Sequence, residues 1–487
     1  MDIVGRTNEV KQLNAFYQSA SPRFLALYGR RRVGKTYLIW ELFHAKKGAL
    51  FFNVSGLRDG AMATQIANVM TRIEEVFLAG LKLQPVQKWR DVFAVLHDLI
   101  TKQPKHQKIV LFFDELPWMA TPRSKLLETL DYYWNQYWSH DKRIKLIICG
   151  SSASWIIRKV IKSRGGLHNR VTDKMVLKPF SLCETKAYLK HRNIDLNNQQ
   201  ILLLYLVTGG VPFYLEQIKK KQTAAKMIEA LAFQPGAFFL TEFDHLFASL
   251  FEDSEVHNKV VRALAQHREG LAKTTLLSLV DLDGGTGLKK LDELEDAGFI
   301  MRFKPLYHKK RGTYYRLIDE YSLFYLTWIE PVKDQLHAHA LDKGYWQAMQ
   351  NTPAWYSWLG YAFESVCYKH LLAIRRALGL SPLDIASTWR FVPPKGSGAQ
   401  GAQIDLLFDQ QDGAVGICEM KYSDKPFVVN KSYAATLERK ASVFQKQTRT
   451  RKQLLIYMIA ASGVARNRHA QRVLSGIVSL SDLFKPL

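Results

Sequence analysis

Three short apolar runs stand out along the first third of the chain: Phe24-Leu25-Ala26-Leu27-Tyr28, Lys108-Ile109-Val110-Leu111-Phe112-Phe113 and Ile144-Lys145-Leu146-Ile147-Ile148-Cys149. Continuous runs of this length suit strands of a parallel sheet covered on both faces. Val10, Leu13 and Phe16 precede them at helical spacing, and Tyr37 to His44 reads as a helix start. From Pro179 the pattern is helical through Ile218, broken where Gly209-Gly210 precede Pro212. Between Val256 and Asp319 the spacing predicts three helices and a β-hairpin. Val260, Val261 and Leu264 line the first helix, Leu271 to Val280 form the second, and Leu288, Leu291 and Leu294 line the third. Phe299–Phe303 and Thr313–Leu317 are the hairpin strands. Tyr321 to Trp358 reads as aromatic-rich connecting helices. A long helix from Trp355 to Leu378 and strands Ala402–Phe408 and Val415–Lys421 follow, the strands joined by a turn at Asp409–Gly413.

The loop after the first run is Gly29-Arg30-Arg31-Arg32-Val33-Gly34-Lys35-Thr36, which fits G-x-x-x-x-G-K-[ST] between a strand and a helix. Glycines let successive backbone N–H groups approach a triphosphate, and the helix N-terminus adds positive partial charge. Lys35 is assigned to the β- and γ-phosphates of ATP and the Thr36 hydroxyl to Mg²⁺. A basic turn without a ligand is the bland alternative. The second run ends in Asp114-Glu115 at the edge where α/β sheets bind ligand. Asp114 is expected to hold Mg²⁺ and Glu115 to polarise the attacking water, although such a pair also occurs at ordinary strand ends. Ser151 or Ser152 either senses the γ-phosphate or caps a helix. Arg170, after a Gly165-Gly166 turn, is either a charge-neutralising finger or a surface arginine, and His168 beside it reads as structural. Arg6, in Val4-Gly5-Arg6-Thr7-Asn8-Glu9, is either part of an ordinary helix start or close to the nucleotide base.

A second constellation lies in the last third. Asp405 and Glu419-x-Lys421 stand on consecutive predicted strands, and Glu364 on the helix before them. Two strand carboxylates can share one hard cation, and strand alternation puts Glu419 and Lys421 on one face. The cation activates water and stabilises a pentacovalent phosphate, with Lys421 orienting the nucleophile and Glu364 completing the site. A hairpin with solvated charges is the alternative. The apolar neighbours Leu406, Leu407, Val415 and Ile417 argue against it, because charges at the end of a core strand need a reason.

Taken in order, Gly5-Arg6-x-x-Glu9, the 29–36 loop, Asp114-Glu115, Cys149-Gly150-Ser151-Ser152, Leu-Lys-Pro-Phe at 177–180 and Gly-Gly-x-Pro at 209–212 resemble the archaeal-type ATPases of the STAND clade, relatives of AAA+ proteins, over roughly residues 1–250. The resemblance implies a P-loop NTPase parallel sheet with a helical lid, a switch more than a motor, and places Pro212 beside the bound adenine. The family has Gly-Arg where this chain has Asn169-Arg170. Residues 256–319 resemble a winged helix, with His308-Lys309-Lys310-Arg311-Gly312 as its wing. The third helix carries Lys289 and Lys290 but also Asp292, Glu293, Glu295 and Asp296, so DNA contact by the wing and simple interdomain packing both remain open. Residues 350–487 resemble the PD-(D/E)XK nuclease superfamily, some of whose members are inactive. There a polar residue on the next helix supports the site, and Gln445 is the nearest match. The expected organisation is α/β throughout: ATPase core 1–175, lid 176–250, winged helix 251–325, helical connector 326–350 and nuclease-like α/β domain 351–487.

Composition sharpens this picture. The 487 residues exceed a single core, and 68 Lys plus Arg against 44 Asp plus Glu give a formal net charge of +24. That excess favours a polyanion, DNA first. Residues 425–472 hold eleven Lys or Arg and one acidic residue, Glu438. Lys446, Arg449, Arg451 and Lys452 among them are expected on the helix after the second strand, tracking phosphates. No apolar run nears the ~18 residues that span a bilayer, and no signal-peptide pattern is present. Cys149, Cys183, Cys367 and Cys418 form no C-x-x-C pair and read as reduced core residues of a cytoplasmic protein. The composite expectation is an ATP-driven switch, open to oligomerisation, that controls a Mg²⁺- or Mn²⁺-dependent DNase. The alternatives are a non-cutting STAND scaffold and a DNA remodeller.

Overall fold

The computed structural model of the chain describes residues 3–162, 167, 169–307, 312–338, 344–394, 396, 398 and 400–486. His168, the Gly165-Gly166 turn and wing residues His308 to Arg311 lie outside them. The chain divides into two compact units, Met1–Pro179 and Phe180–Leu487.

The first unit is built on strands β1 (Arg23–Tyr28), β2 (Ala49–Ser55), β3 (Lys108–Asp114), β4 (Ile144–Gly150) and β5 (Asp173–Val176), in the order β2-β3-β4-β1-β5. All neighbours run parallel. Strand alternation sorts its core: Leu25 and Leu27 pack on one face with Ile39, Phe112 and Ile147, while Phe24 and Ala26 pack on the other with Leu111, Phe113 and Leu146. This is an α/β fold with the parallel sheet typical of P-loop ATPases. Because β3, β4 and β1 are neighbours, the residues following their C-terminal ends share one edge.

The second unit opens with helices Leu182–His191, Asn198–Thr208 and Pro212–Glu216. The break before Pro212 uses Gly209 and Gly210 at φ 60° and 68°, and a Cβ on Gly210 would lie 2.2 Å from the Phe180 carbonyl oxygen. Helix Ser254–Ala265, β6 (Leu271–Ala272), helices Lys273–Leu279 and Gly284–Asp296, β7 (Ile300–Phe303) and β8 (Tyr314–Leu317) come next. The three strands form an antiparallel sheet, β6-β8-β7. Two details differ from expectation. The second helix starts at Lys273, because Leu271 and Ala272 pair with Tyr315 and Tyr314. Leu288 is exposed, because the buried stripe of the third helix runs through Gly287, Leu291 and Leu294. Gly287 packs closely there: a Cβ would meet the Leu277 side chain at 2.4 Å and displace it.

The C-terminal sheet contains β9 (Ile385–Phe391), β10 (Ala402–Asp409), β11 (Ala414–Lys421), β12 (Gln453–Ala460) and β13 (Gly476–Ser479), ordered β13-β12-β11-β10-β9. It is mixed: β9, β10 and β11 are antiparallel, and β11, β12 and β13 parallel. Leu406, Phe408, Cys418 and Met420 face helix Pro353–Lys369, whereas Leu407, Val415 and Ile417 face helix Lys431–Thr448. The expected long helix from Trp355 to Leu378 is two helices, Pro353–Lys369 and Leu371–Leu378, divided at His370. One apolar core runs from Phe180 to Phe484 through all the segments expected to be separate. The 326–350 stretch is part of it: Trp346 packs with Phe233, Phe324, Trp328, Trp355 and Trp358. Among the described residues no helix is long and apolar enough to cross a membrane, and the four cysteines form no disulfide.

His370 fastens this unit. Its Nε2 accepts the Leu182 N–H at 3.1 Å and its Nδ1 bonds the Val366 carbonyl at 2.8 Å, so the ring is neutral. Burial pushes its pKa down to about 4. The unfolded chain therefore takes up a proton near pH 6.5 that the native ring refuses until about pH 4. This contribution is present above pH 6.5 and lost as pH falls to 4, by up to about 3 kcal/mol. Urea unfolding of wild type and His370→Gln should show the wild type losing more stability across that window; parallel curves would refute the assignment.

Candidate functional site

The loop after β1 is shaped by its glycines. Gly29 leaves the strand at φ 145°, where a Cβ would stand 2.3 Å from the Leu177 carbonyl oxygen. Gly34, at φ 88°, turns the chain into helix Lys35–Phe43. Lys35 is buried, and its Nζ donates to the Gly29 and Arg30 carbonyls at 2.9 Å each, which fixes the ammonium at the centre of the loop. Val33 and Arg30 are buried, Arg32 adopts φ 70°, and the Arg31 guanidinium lies 5.9 Å from the Trp118 ring. Arg6 braces the loop from outside: it is buried, and its Nη2 donates to the Val33 carbonyl at 3.0 Å.

Asp114, at the end of β3, is buried and faces this loop. Its Oδ2 accepts from the Thr36 hydroxyl at 2.7 Å and from the Ser55 hydroxyl at 3.2 Å. Hydroxyl and carboxylate oxygens gathered beside a phosphate loop suit Mg²⁺ carried by a nucleotide. Glu115 has φ 45°, and its carboxylate accepts the Ser151 N–H at 2.9 Å and the Ser151 hydroxyl at 2.6 Å. Ser151 is thus tied to Glu115, while Ser152 begins helix Ala153–Ile156 without a side-chain cap. Arg170 is exposed, and its charge acts on Asp131. Pro212 opens its short helix in the second unit.

In that unit, Asp405 on β10 and Glu419 on β11 are buried. The β9–β10 register shifts between Ile404 and Leu407, so Asp405 sits in an irregular stretch. Its Oδ2 accepts the Met420 N–H at 3.3 Å, and its carbonyl accepts the Tyr368 hydroxyl at 2.6 Å. Glu419 is surrounded by donors: Tyr433 at 2.8 Å and Lys421 at 3.0 Å on Oε1, and Lys440 at 2.6 Å on Oε2. Burial alone would raise its pKa, but Lys421 and Lys440 outweigh that and hold it below the usual carboxylate range. The other two carboxyls go the opposite way. Burial, then Glu419, pushes Asp405 up to about 6; burial, then Asp405, pushes Glu364 up to about 8.

Oxygen donors repelling one another in a dry place suit a hard divalent cation. Lys421 and Lys440 already supply part of that positive charge at Glu419. Among the described residues no group of three or more His, Cys, Asp or Glu is placed to hold a metal ion.

Residues 3–218 match the model of an ATPase domain found predominantly in Archaea. The chain carries an archaeal-type ATPase domain. An uncharacterized protein of Methanocaldococcus jannaschii is 25% identical over 431 residues, covering 86% of this chain and 88% of its own, so the similarity extends past the ATPase domain. Among solved structures, the chain is similar to the Walker-type ATPase of Pyrococcus abyssi (19% identical, TM-score 0.46, covering 67% of this chain and 96% of that one). It is also similar to the ORC2 protein of Aeropyrum pernix in its ADPNP–ADP complexes (16% identical, TM-score 0.40, 69% and 94%).

Several contacts around the ATPase loop and the second cluster lay beyond the sequence. Ser55 and the Ser151–Glu115 pair depend on strand order. Tyr433 and Lys440, seven residues apart on one face of helix Lys431–Thr448, hold Glu419, whereas Gln445 is exposed. Arg449 ends that helix at φ 58°, so Arg451 and Lys452 lie past it, and Lys452 pairs with Asp409 at 2.7 Å. Arg316 on β8 is buried 4.3 Å from the ring of Tyr368, the residue bonded to Asp405.

In the ATPase domain, Lys35→Ala should weaken ATP binding about 10- to 100-fold, the worth of a charge-assisted hydrogen bond. Equilibrium binding of a fluorescent ATP analogue checks this; unchanged affinity would contradict it.

Proposed function

We propose that the protein is an ATP-binding and -hydrolysing switch that controls a divalent-metal-dependent DNA endonuclease housed in its C-terminal sheet. For the first part, the loop Gly29–Thr36 cradles the triphosphate, Lys35 contacts the β- and γ-phosphates, and Thr36 with Asp114 orients Mg²⁺. Glu115 polarises water for attack on the γ-phosphate, and Ser151 sets the position of its carboxylate.

The nuclease reading is carried by one arrangement: Asp405 and Glu419 are buried on the adjacent strands β10 and β11, with Lys421 paired to Glu419 and half-buried Glu364 acting electrostatically on the same group. A fold has no structural need to bury two carboxylates on adjacent strands beside a third, and doing so costs stability. Perturbed groups of this kind mark functional sites. A Mg²⁺ or Mn²⁺ held by Asp405 and Glu419 would supply Lewis acidity and a more acidic bound water. Glu364 would accept a proton from the attacking water, and Lys421 would offset charge on the scissile phosphate. Three-helix segment 254–317, with its antiparallel sheet, acts as a winged-helix module in this reading, and the basic C-terminal residues track the DNA backbone.

Plasmid and linear DNA incubated with Mg²⁺ or Mn²⁺, with and without ATP, should be cut by wild type and not by Asp405→Asn. Cleavage should rise from pH 6 to above 8, as Asp405 and then Glu364 lose their protons. Cleavage that survives Asp405→Asn would sink the assignment.

A second reading has its own support. Lys421 and Lys440 already neutralise Glu419, which suits a C-terminal domain that binds nucleic acid or protein without cutting. ATP binding with no cleavage under any condition would favour it.

A further inference from the structure

Beside the Asp405–Glu419 cluster, within the second unit, lies a cleft of about 400 Å³. Glu364, Lys421, Tyr356, Tyr361, Arg268 and Arg390 are among the residues that line it. The two arginines come from different parts of the unit: Arg268 precedes β6, and Arg390 stands on β9. Arg268 is held to Ser357, donating to its carbonyl at 3.2 Å and to its hydroxyl. Arg390 is held to Glu269, at 3.1 Å.

Three cations and one exposed aromatic ring lining a narrow cleft have the composition of a single-strand nucleic-acid site: basic groups follow the backbone and a base stacks on the ring. Tyr356 is 44% exposed, so its ring is available. The volume is that of a small-ligand pocket and admits a nucleotide-sized piece of one strand, not a duplex. Glu269 is the anomaly. It places a carboxylate on Arg390, one of the two guanidiniums that line the cleft, and the pair is close to half exposed, so it contributes little to stability.

We propose that this cleft binds one strand of nucleic acid, with a backbone phosphate on Arg390 and Arg268 and a base against Tyr356, and that Glu269 is the resident anion which the phosphate displaces. This rests on the nuclease reading for what happens next, because Lys421 and Glu364 line the same cleft. It adds that the DNA is presented to the site as one locally separated strand, and that Arg268 and Glu269, between helix Ser254–Ala265 and β6, line the cleft that receives it. Arg390 and Glu269 exchange one ion pair for another, so access costs little and depends on ionic strength.

The test separates binding from cutting. Full-length Asp405→Asn protein is titrated, without metal or ATP, into a fluorescent single-stranded oligonucleotide and into the matching duplex over a range of salt. Glu269→Gln added to this background should tighten single-strand binding about threefold, the size of a surface charge effect. Arg390→Ala should weaken it five- to tenfold and reduce the slope of log K against log salt by about 0.7, the loss of one phosphate contact on a single strand. Arg390→Lys should recover part of the loss, and thermal melts should show all variants folded. Single-strand affinity unmoved by both Glu269→Gln and Arg390→Ala would overturn the proposal, as would duplex bound more tightly than single strand. Either result leaves the comparison of wild type with Asp405→Asn in the cleavage assay to judge the nuclease reading separately.

Discussion

A carboxylate removed from water must find positive charge or keep its proton, and the second unit is arranged around one that does the former. Glu419 is buried on β11 and reaches Tyr433, Lys421 and Lys440. Those partners come from the strand itself and from helix Lys431–Thr448, so the helix has one register in which both Tyr433 and Lys440 face the sheet. Burial first, and then repulsion from neighbouring carboxylates, makes Asp405 and Glu364 retain their protons to unusually high pH. The same buried set draws in Tyr368, and behind it Arg316 from β8. The antiparallel module and the mixed sheet are thereby joined at the place where the chemistry is proposed.

The ATPase domain solves a related problem with neutral donors. Its acidic pair is matched by hydroxyls and N–H groups: Thr36 and Ser55 on Asp114, and Ser151 on Glu115. Neutral donors fix both carboxylates in place without cancelling their charge, which suits orienting a metal and polarising water. The C-terminal cluster instead spends lysines on Glu419, and that contrast is why its activity is the question.

Local signals were legible in the sequence, and signals created by folding were not. The loop Gly29–Thr36, Asp114-Glu115 and the strands carrying Asp405 and Glu419 are each contiguous, so composition and period reveal them. Ser55 and Ser151 reach the acidic pair only because β2, β3 and β4 are adjacent, and strand order is not written in any short stretch. Leu271-Ala272 fits the apolar period of the helix that follows, because two residues cannot show an alternation; only their pairing with β8 makes them a strand. Leu288 fits a helical apolar stripe, but close approach to Leu277 shifts the stripe to Gly287. Gln445 was favoured by position in the chain, whereas helix phase, set by Tyr433 and Lys440, turns it to solvent. The tryptophans of the connecting stretch read as a bridge between domains, yet their area makes them the core of one unit.

The central claim is that the buried carboxylates at β10 and β11 form a divalent-cation site. Mn²⁺ titrated calorimetrically into nucleotide-free protein at pH 8 addresses it directly, because without a nucleotide the phosphate loop offers only Thr36 and Asp114 and lacks the phosphate oxygens that carry the ion. The account predicts a bound Mn²⁺ that disappears in both Asp405→Asn and Glu419→Gln, and that weakens at pH 6 as Asp405 and Glu364 take up protons. Mn²⁺ binding identical in wild type and both variants, or none in wild type, would contradict it.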